Sequence, residues 1–363
     1  MKILYVIDGL PLGGTENQLL SLLPDLARDH QIVLVTLKDN DRPNLGELPV
    51  ARRYRLGLRR HRALLGAVRK LKRIIAEEKP DLVRSQLCWS SVAARLATPK
   101  SIPLIFSLHS TLSEDGYAKS KKILWLEKLT YARRHTVLGV SHHVIADFDK
   151  YVGIKGGAEV LTNFVRPEFL QLRRNRESFS PPFRLVAVGN LKPVKNYRYL
   201  LEAMKQLPRD VELDVYGEGA ERPALEREIE SNGLNVRLMG VRDDMWNVLP
   251  DYDLFVMPSH YEGCPNAVIE AMAVGLPALL SDIPVMHEVS RGIALFFDQK
   301  EPGSFAALMN SLLAGEVDLK ALADKGAELV RRDYSKQDYV ERLNALYARV
   351  VTSAASAAGG GAR

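Results

Sequence analysis

Short apolar runs, each followed by a polar loop bearing glycine or proline and then by a segment with apolar residues three and four apart, recur along the chain. The runs at residues 2–7, 32–37, 82–85, 104–108 and 136–140, and again at 183–188, 211–216, 236–239, 254–257 and 293–297, are dominated by Val, Ile, Leu and Phe. Such runs suit strands buried on both faces of a parallel sheet. Helices are predicted over residues 16–29, 90–97, 197–206, 221–232 and 243–249, and over 302–331 and 337–351 nearer the end. Strand and helix alternate throughout, which predicts an α/β protein. Residues 166–182 break the pattern with three prolines in a polar run, as an interdomain linker does. A chain of 363 residues is long enough for two domains, each with its own core.

The stretch richest in candidate chemistry is residues 253–280, which reads as strand, loop, helix and strand. Pro265 is expected at the first position of that helix, where a missing N–H costs nothing, and Gly275 followed by Pro277 ends it. Val268, Ile269, Met272 and Ala273 would form its buried stripe. Glu262 precedes the helix and Glu270 lies in its second turn, so a rise of ~1.5 Å per residue puts the two carboxylates roughly 8–10 Å apart. Between them runs the backbone of Gly263, Cys264, Pro265, Asn266 and Ala267, and a helix N-terminus attracts an anion. A sugar at Glu262, a diphosphate over the helix start and a ribose at Glu270 fit in that order. An ordinary buried helix with one capping and one solvated carboxylate has the same spacing.

The run PSHYEGCPNAVIEAMAVGLPAL resembles the E-x7-E signature of the retaining glycosyltransferases of family 4, with Glu262 and Glu270 as its two acids. The resemblance implies the GT-B fold, two facing Rossmann-like domains with parallel sheets and a nucleotide-sugar in the cleft between them. The expected division is an N-terminal acceptor domain over 1–165, a linker over 166–182, a nucleotide-sugar domain over 183–335 and a C-terminal helix over 336–351 that packs back on the first domain. An Ala, Ser and Gly tail over 352–363 is expected to be disordered. Gly13-Gly14-Thr15-Glu16 matches the family's GG-x-E element, which contacts phosphate or acceptor, and His109 stands where a family histidine meets the donor sugar near its anomeric centre. Lys195 matches the lysine of the diphosphate clamp, whereas Asn190 stands in place of its arginine, with Lys192 two positions on. Gly217 falls in the family's nucleoside pocket, and Val241 at the position whose backbone meets the base. By the same resemblance Glu262 holds sugar hydroxyls and Glu270 the ribose, and the reaction needs neither metal nor cofactor.

The resemblance thus implies a retaining hexosyltransferase that uses a nucleoside diphosphate sugar, UDP- or GDP-linked, in cell-surface polysaccharide biosynthesis. Two alternatives stay open: a GT-B sugar epimerase or phosphorylase, and a catalytically silent sugar-nucleotide-binding protein. Charge bears on the acceptor. The first 166 residues hold 27 Lys and Arg against 16 Asp and Glu, and residues 51–73 alone carry ten basic residues and no acid, interleaved with Leu58, Leu64, Leu65, Val68 and Leu71. Residues 119–134 repeat the theme. This pattern predicts an anionic membrane surface met through the basic side chains between Arg52 and Arg73, and a polyprenyl-linked saccharide as acceptor. No nucleic-acid-binding motif accompanies the charge. Two cysteines, Cys88 and Cys264, without paired spacing fit a reducing compartment, and the apolar run after Lys2 is too short for a secretion signal. A cytoplasmic protein, peripheral on the inner face of the cytoplasmic membrane, is expected.

Overall fold

In the computed structural model the apolar runs become two parallel sheets. The structure describes residues 1–42, 45–58, 64–114, 120–172, 179, 182–301 and 303–359. The chain divides into one unit of residues 1–163 with 337–363, and a second of residues 164–336.

The first unit holds a seven-stranded sheet of β1 (Lys2–Ile7), β2 (Gln31–Thr36), β3 (Arg52–Arg55), β4 (Leu82–Gln86), β5 (Leu104–Leu108), β6 (His135–Gly139) and β7 (Ala158–Val160), in the order β3-β2-β1-β4-β5-β6-β7. All its pairings are parallel. Connecting segments form α1 (Gly14–Asp29), α2 (Leu64–Glu78), α3 (Cys88–Ala97), α4 (Lys121–Thr130) and α5 (His142–Tyr151). One face of the sheet, with Leu4, Val6, Val33, Val83 and Phe106, packs on Val68, Leu71 and Ile75 of α2 and Ala93 and Ala94 of α3. Burying each such aliphatic or aromatic side chain contributes roughly 1.5–3 kcal/mol, which is why strands this apolar stay in the interior.

The second unit opens with α6 (Glu168–Gln171) and holds a six-stranded sheet of β8 (Arg184–Val188), β9 (Glu212–Tyr216), β10 (Val236–Gly240), β11 (Leu254–Met257), β12 (Ala278–Ser281) and β13 (Leu295–Phe297). Its order, β10-β9-β8-β11-β12-β13, is again all parallel. The helices are α7 (Tyr197–Met204), α8 (Arg222–Asn232), α9 (Met245–Val248), α10 (Asn266–Ala273), α11 (Pro284–Ser290), α12 (Ser304–Leu313) and α13 (Leu319–Asp333). Read from the first strand of each sheet, the order runs 3-2-1-4-5-6, with β7 as a seventh strand in the first, and it reverses between β1 and β4 and between β8 and β11. Ligands of open α/β sheets sit beyond the C-terminal strand ends at such a reversal.

Three expectations change. Residues 51–73 are not one segment: Arg52–Arg55 form the edge strand β3, Leu64–Glu78 form α2, and residues 59–63, with Arg59, Arg60 and Arg62, lie outside the described residues. Residues 166–172 carry a short helix whose Phe169 is fully buried, so they are anchored by an apolar side chain where a free linker was expected. The last helix, α14 (Lys336–Gly359), runs past the expected end at residue 351 into the alanine-rich tail. Alanine has the highest helix propensity, so that composition extends a helix already begun. Residues 360–363 lie outside the described residues.

Candidate functional site

In the second unit the loops after β8, β9 and β10 meet through glycine. Gly217, directly after β9, has φ +148°, and a Cβ there would lie 2.0 Å from the carbonyl oxygen of Gly189, the first residue after β8. Its N–H donates to the Gly240 carbonyl (2.8 Å), and Gly240 ends β10 at φ +75°. Any side chain at Gly217 would push the β8 loop away, so the loops approach this closely only with glycine. Val241 follows, 47% exposed although apolar. Asn190 is also exposed.

The β8 loop then makes a short turn, Pro193–Lys195, closed by Asn196 in the left-handed conformation (φ 54°). This turn delivers Lys195 to Glu262: Lys195 Nζ lies 2.5 Å from Glu262 Oε1, with both side chains largely buried. Ser259 Oγ donates to the same carboxylate oxygen at 2.8 Å. The loop carrying Glu262 is held at both flanks. His260 N–H donates to the Val194 carbonyl (2.9 Å), and Ser281 Oγ at the end of β12 donates to the Ser259 carbonyl (2.7 Å). Tyr197 closes the floor, its hydroxyl on the Gly189 carbonyl (3.2 Å); burial, and then the charge of Glu262, raise its pKa. A lysine and a carboxylate thus come together at adjacent strand ends, where a ligand with both anionic and hydroxyl groups finds a partner for each.

The backbone then passes through Gly263 and Cys264, both buried, into α10. Pro265 is the N-cap of α10 and Asn266 its first residue, one position later than expected. Proline has extended backbone there (φ −73°, ψ 102°) and brings no side-chain cap, so the first turn, with Asn266 and Ala267, begins without a carboxylate or hydroxyl at its cap. Val268, Ile269 and Met272 are buried as predicted, which fixes the helix axis and turns Glu270 the other way.

Glu270 meets a residue that no sequence pattern singles out. Its Oε1 lies 3.5 Å from Arg166 Nη2, with side chains 14% and 21% exposed. Burial pushes the Glu270 carboxyl up to about 7, while the Arg166 charge and hydrogen bond pull it down and the more distant Glu168 charge pushes it up. Arg166 itself packs against two aromatic rings, those of Phe169 and Trp246, each with its centroid 5.0 Å from the guanidinium carbon. Nothing in the spacing marks Arg166: it lies in a proline-flanked segment more than a hundred residues before its partner.

The remaining predicted residues lie in the first unit. Gly13 is the N-cap of α1 and Gly14 its first residue; a Cβ on Gly13 would meet the Glu16 carboxylate at 2.2 Å. His109 follows the last residue of β5, and its Nε2 is buried without a hydrogen-bond partner among the described residues. Burial first, then the positive charge of Arg84, hold its pKa down at about 3, so it is neutral across the physiological range. Arg84 is fully buried, its guanidinium 5.5 Å from the Tyr5 ring and 5.6 Å from that of Tyr347 on α14.

The basic surface is partly compensated in space. Arg52 pairs with Glu78 (3.0 Å) and Glu77 (3.4 Å), Arg53 with Asp41 (2.5 Å) and Arg55 with Asp41 (3.1 Å), acids that flank residues 51–73 in sequence. On α4, however, Trp125 (61%) and Leu129 (62%) are exposed one turn apart beside exposed Lys121, Lys122 and Lys128. Among the described residues no helix is long and apolar enough to cross a membrane.

Residues 12–169 match the family model described as Glycosyltransferase Family 4, and residues 182–315 that described as Glycosyl transferases group 1. The chain is 27% identical over 243 residues to a UDP-Gal:alpha-D-GlcNAc-diphosphoundecaprenol alpha-1,3-galactosyltransferase of Escherichia coli. That match covers 59% of this chain and 60% of the relative, so it spans less than two thirds of the relative's length. Among solved structures, the fold is similar to that of a sucrose-phosphate synthase from Thermosynechococcus elongatus, with TM-score 0.82, 18% identity, and coverage of 97% of this chain and 99% of the other. It is also similar to Anabaena HepE in complex with UDP, with TM-score 0.78, 17% identity, and coverage of 96% and 100%.

Proposed function

Since the chain belongs to the family 4 glycosyltransferases and has their GT-B fold, we propose that it transfers a hexose from a nucleoside diphosphate sugar to a saccharide acceptor, with retention of configuration and without a metal ion. The observation that carries this reading is the contact of Lys195 with Glu262 just ahead of α10, whose N-cap Pro265 makes no side-chain cap. Cleavage of the sugar–diphosphate bond builds negative charge on the leaving phosphate, and a preorganised ammonium and helix N–H groups stabilise that charge as it develops. Lys195 and the first turn of α10 supply them, Glu262 accepts from sugar hydroxyls, and Glu270 accepts from the ribose. The bond from the anomeric carbon to the diphosphate oxygen breaks, the acceptor oxygen bonds to the same face of that carbon, and the acceptor proton passes to the departing phosphate. His109, neutral and with an unpartnered buried nitrogen, is assigned to the sugar.

The acceptor we infer is lipid-linked, within cell-surface polysaccharide assembly at the inner face of the cytoplasmic membrane. The E. coli relative is named for a diphosphoundecaprenol-linked acceptor, and Trp125 and Leu129 amid lysines on α4 suit the boundary of an anionic bilayer. The test is a melting-temperature series with UDP, GDP and ADP, each with EDTA. A ligand that binds only the folded state raises the melting temperature, so one nucleoside diphosphate should do so without metal. If none does, Asn190 in the phosphate clamp favours a protein that does not turn over a nucleotide-sugar.

A further inference from the structure

Arg166 has no part in the proposed reaction, yet its guanidinium pairs with one of the two signature acids. We propose that Arg166 is a positioning residue for Glu270, fixing its carboxylate in the ionised, twice-accepting form that vicinal ribose hydroxyls require. The inference rests on the reading that Glu270 meets the ribose. Its geometry is a set of four contacts. Phe169, fully buried on α6, and Trp246 on α9 flank the guanidinium at 5.0 Å; their rings meet edge to face with centroids 6.0 Å apart; and the guanidinium presents Nη2 to Glu270 Oε1 at 3.5 Å. An arginine held by two aromatic faces loses little further freedom when it pairs, so the carboxylate it meets is held in place.

The need for such a group follows from burial. A carboxyl this enclosed favours its neutral form, and a protonated carboxyl donates one hydrogen bond where two hydroxyl donors need acceptors. Among the described residues two charged groups act on Glu270, Arg166 favouring the ionised form and Glu168 opposing it. Arg166 therefore sets the pH above which the acid can accept from both hydroxyls.

The experiment measures the affinity of UDP, GDP or ADP, whichever raises the melting temperature most, between pH 6 and pH 9. It compares wild type, Arg166→Gln, Arg166→Lys and Glu270→Gln. Wild-type affinity should fall as pH drops through about 7. Arg166→Gln should move that fall upward by about one pH unit and regain most of its affinity at pH 9. Arg166→Lys, which keeps the charge, should recover part of the shift, and Glu270→Gln should bind weakly with no pH dependence in this range. Arg166→Gln weakened equally at every pH would overturn the positioning role and leave the ribose assignment standing. Glu270→Gln binding as tightly as wild type, or no binding of any of the three by wild type, would overturn the ribose assignment and this inference together.

Discussion

Lys195 Nζ and Glu262 Oε1 lie 2.5 Å apart although 67 residues separate them, because the loops after β8 and β11 are joined by the His260–Val194 backbone bond at the point where strand order reverses. This pairing gives the second unit its candidate chemistry, one cation and one carboxylate at neighbouring strand ends.

Replacing one member of a largely buried pair leaves the other charge uncompensated, so each single change should cost stability as well as function. Lys195→Ala should lower nucleoside diphosphate affinity at least about tenfold, since it removes a charged hydrogen bond worth roughly 1.5–3 kcal/mol. Glu262→Gln should leave that affinity within a few-fold of wild type and reduce turnover of the sugar donor. A double-mutant cycle on the melting temperature should show the two changes to be less than additive.

Gly217 is constrained by both its backbone and its neighbour. Its φ of +148°, and the Gly189 carbonyl 2.0 Å from where a Cβ would stand, leave alanine no place without moving the β8 loop. Gly217→Ala should destabilise the protein by about 1–3 kcal/mol in denaturant unfolding and weaken nucleotide binding. An unchanged midpoint and unchanged binding would show that the loop yields at no cost.

Two histidines with depressed pKa make the first unit sensitive to acid. His109 and His135 both have their pKa depressed to about 3, burial being the first cause in each. Below the unfolded value near 6.5 the unfolded chain takes up a proton at each site that the folded chain refuses until about pH 3, so stability is full above 6.5 and declines as pH falls. The loss should be on the order of 1 kcal/mol per pH unit for each histidine. His109→Asn should lessen the slope of melting temperature against pH between 6.5 and 4, and should lower turnover while sparing nucleoside diphosphate affinity.

Much of the fold is legible in the sequence because parallel strands buried on both faces need continuous apolar runs, and ten such runs mark ten of the thirteen strands among the described residues. β3 is hidden because an edge strand of Arg-Arg-Tyr-Arg reads as a basic surface; in space it pairs in parallel with β2, and its arginines meet Asp41 and Glu78. Of the site, Lys195, Glu262, Glu270 and Gly217 are marked by local patterns of glycine, proline and charge at strand ends. Arg166 is not, since its significance lies wholly in a tertiary contact with Glu270 and in the rings of Phe169 and Trp246.

The exposed pair on α4 bears on where the protein works. Trp125→Ser with Leu129→Ser should reduce flotation with anionic liposomes at all salt concentrations, because the apolar contribution is not screened. Lys121→Glu with Lys122→Glu should reduce it mainly at low salt. Wild type that ignores anionic liposomes at low ionic strength would rule out the membrane as its place of work.

Sugar transfer is the activity proposed for this chain. The direct measurement is passage of radiolabel from a panel of UDP- and GDP-hexoses into a lipid extract in EDTA, with wild type and Glu262→Gln side by side. Label entering the lipid fraction with wild type and much less with Glu262→Gln is the predicted result. No transfer from any donor, by a protein whose melting temperature a nucleoside diphosphate still raises, would contradict it and leave a nucleotide-binding protein without transfer activity.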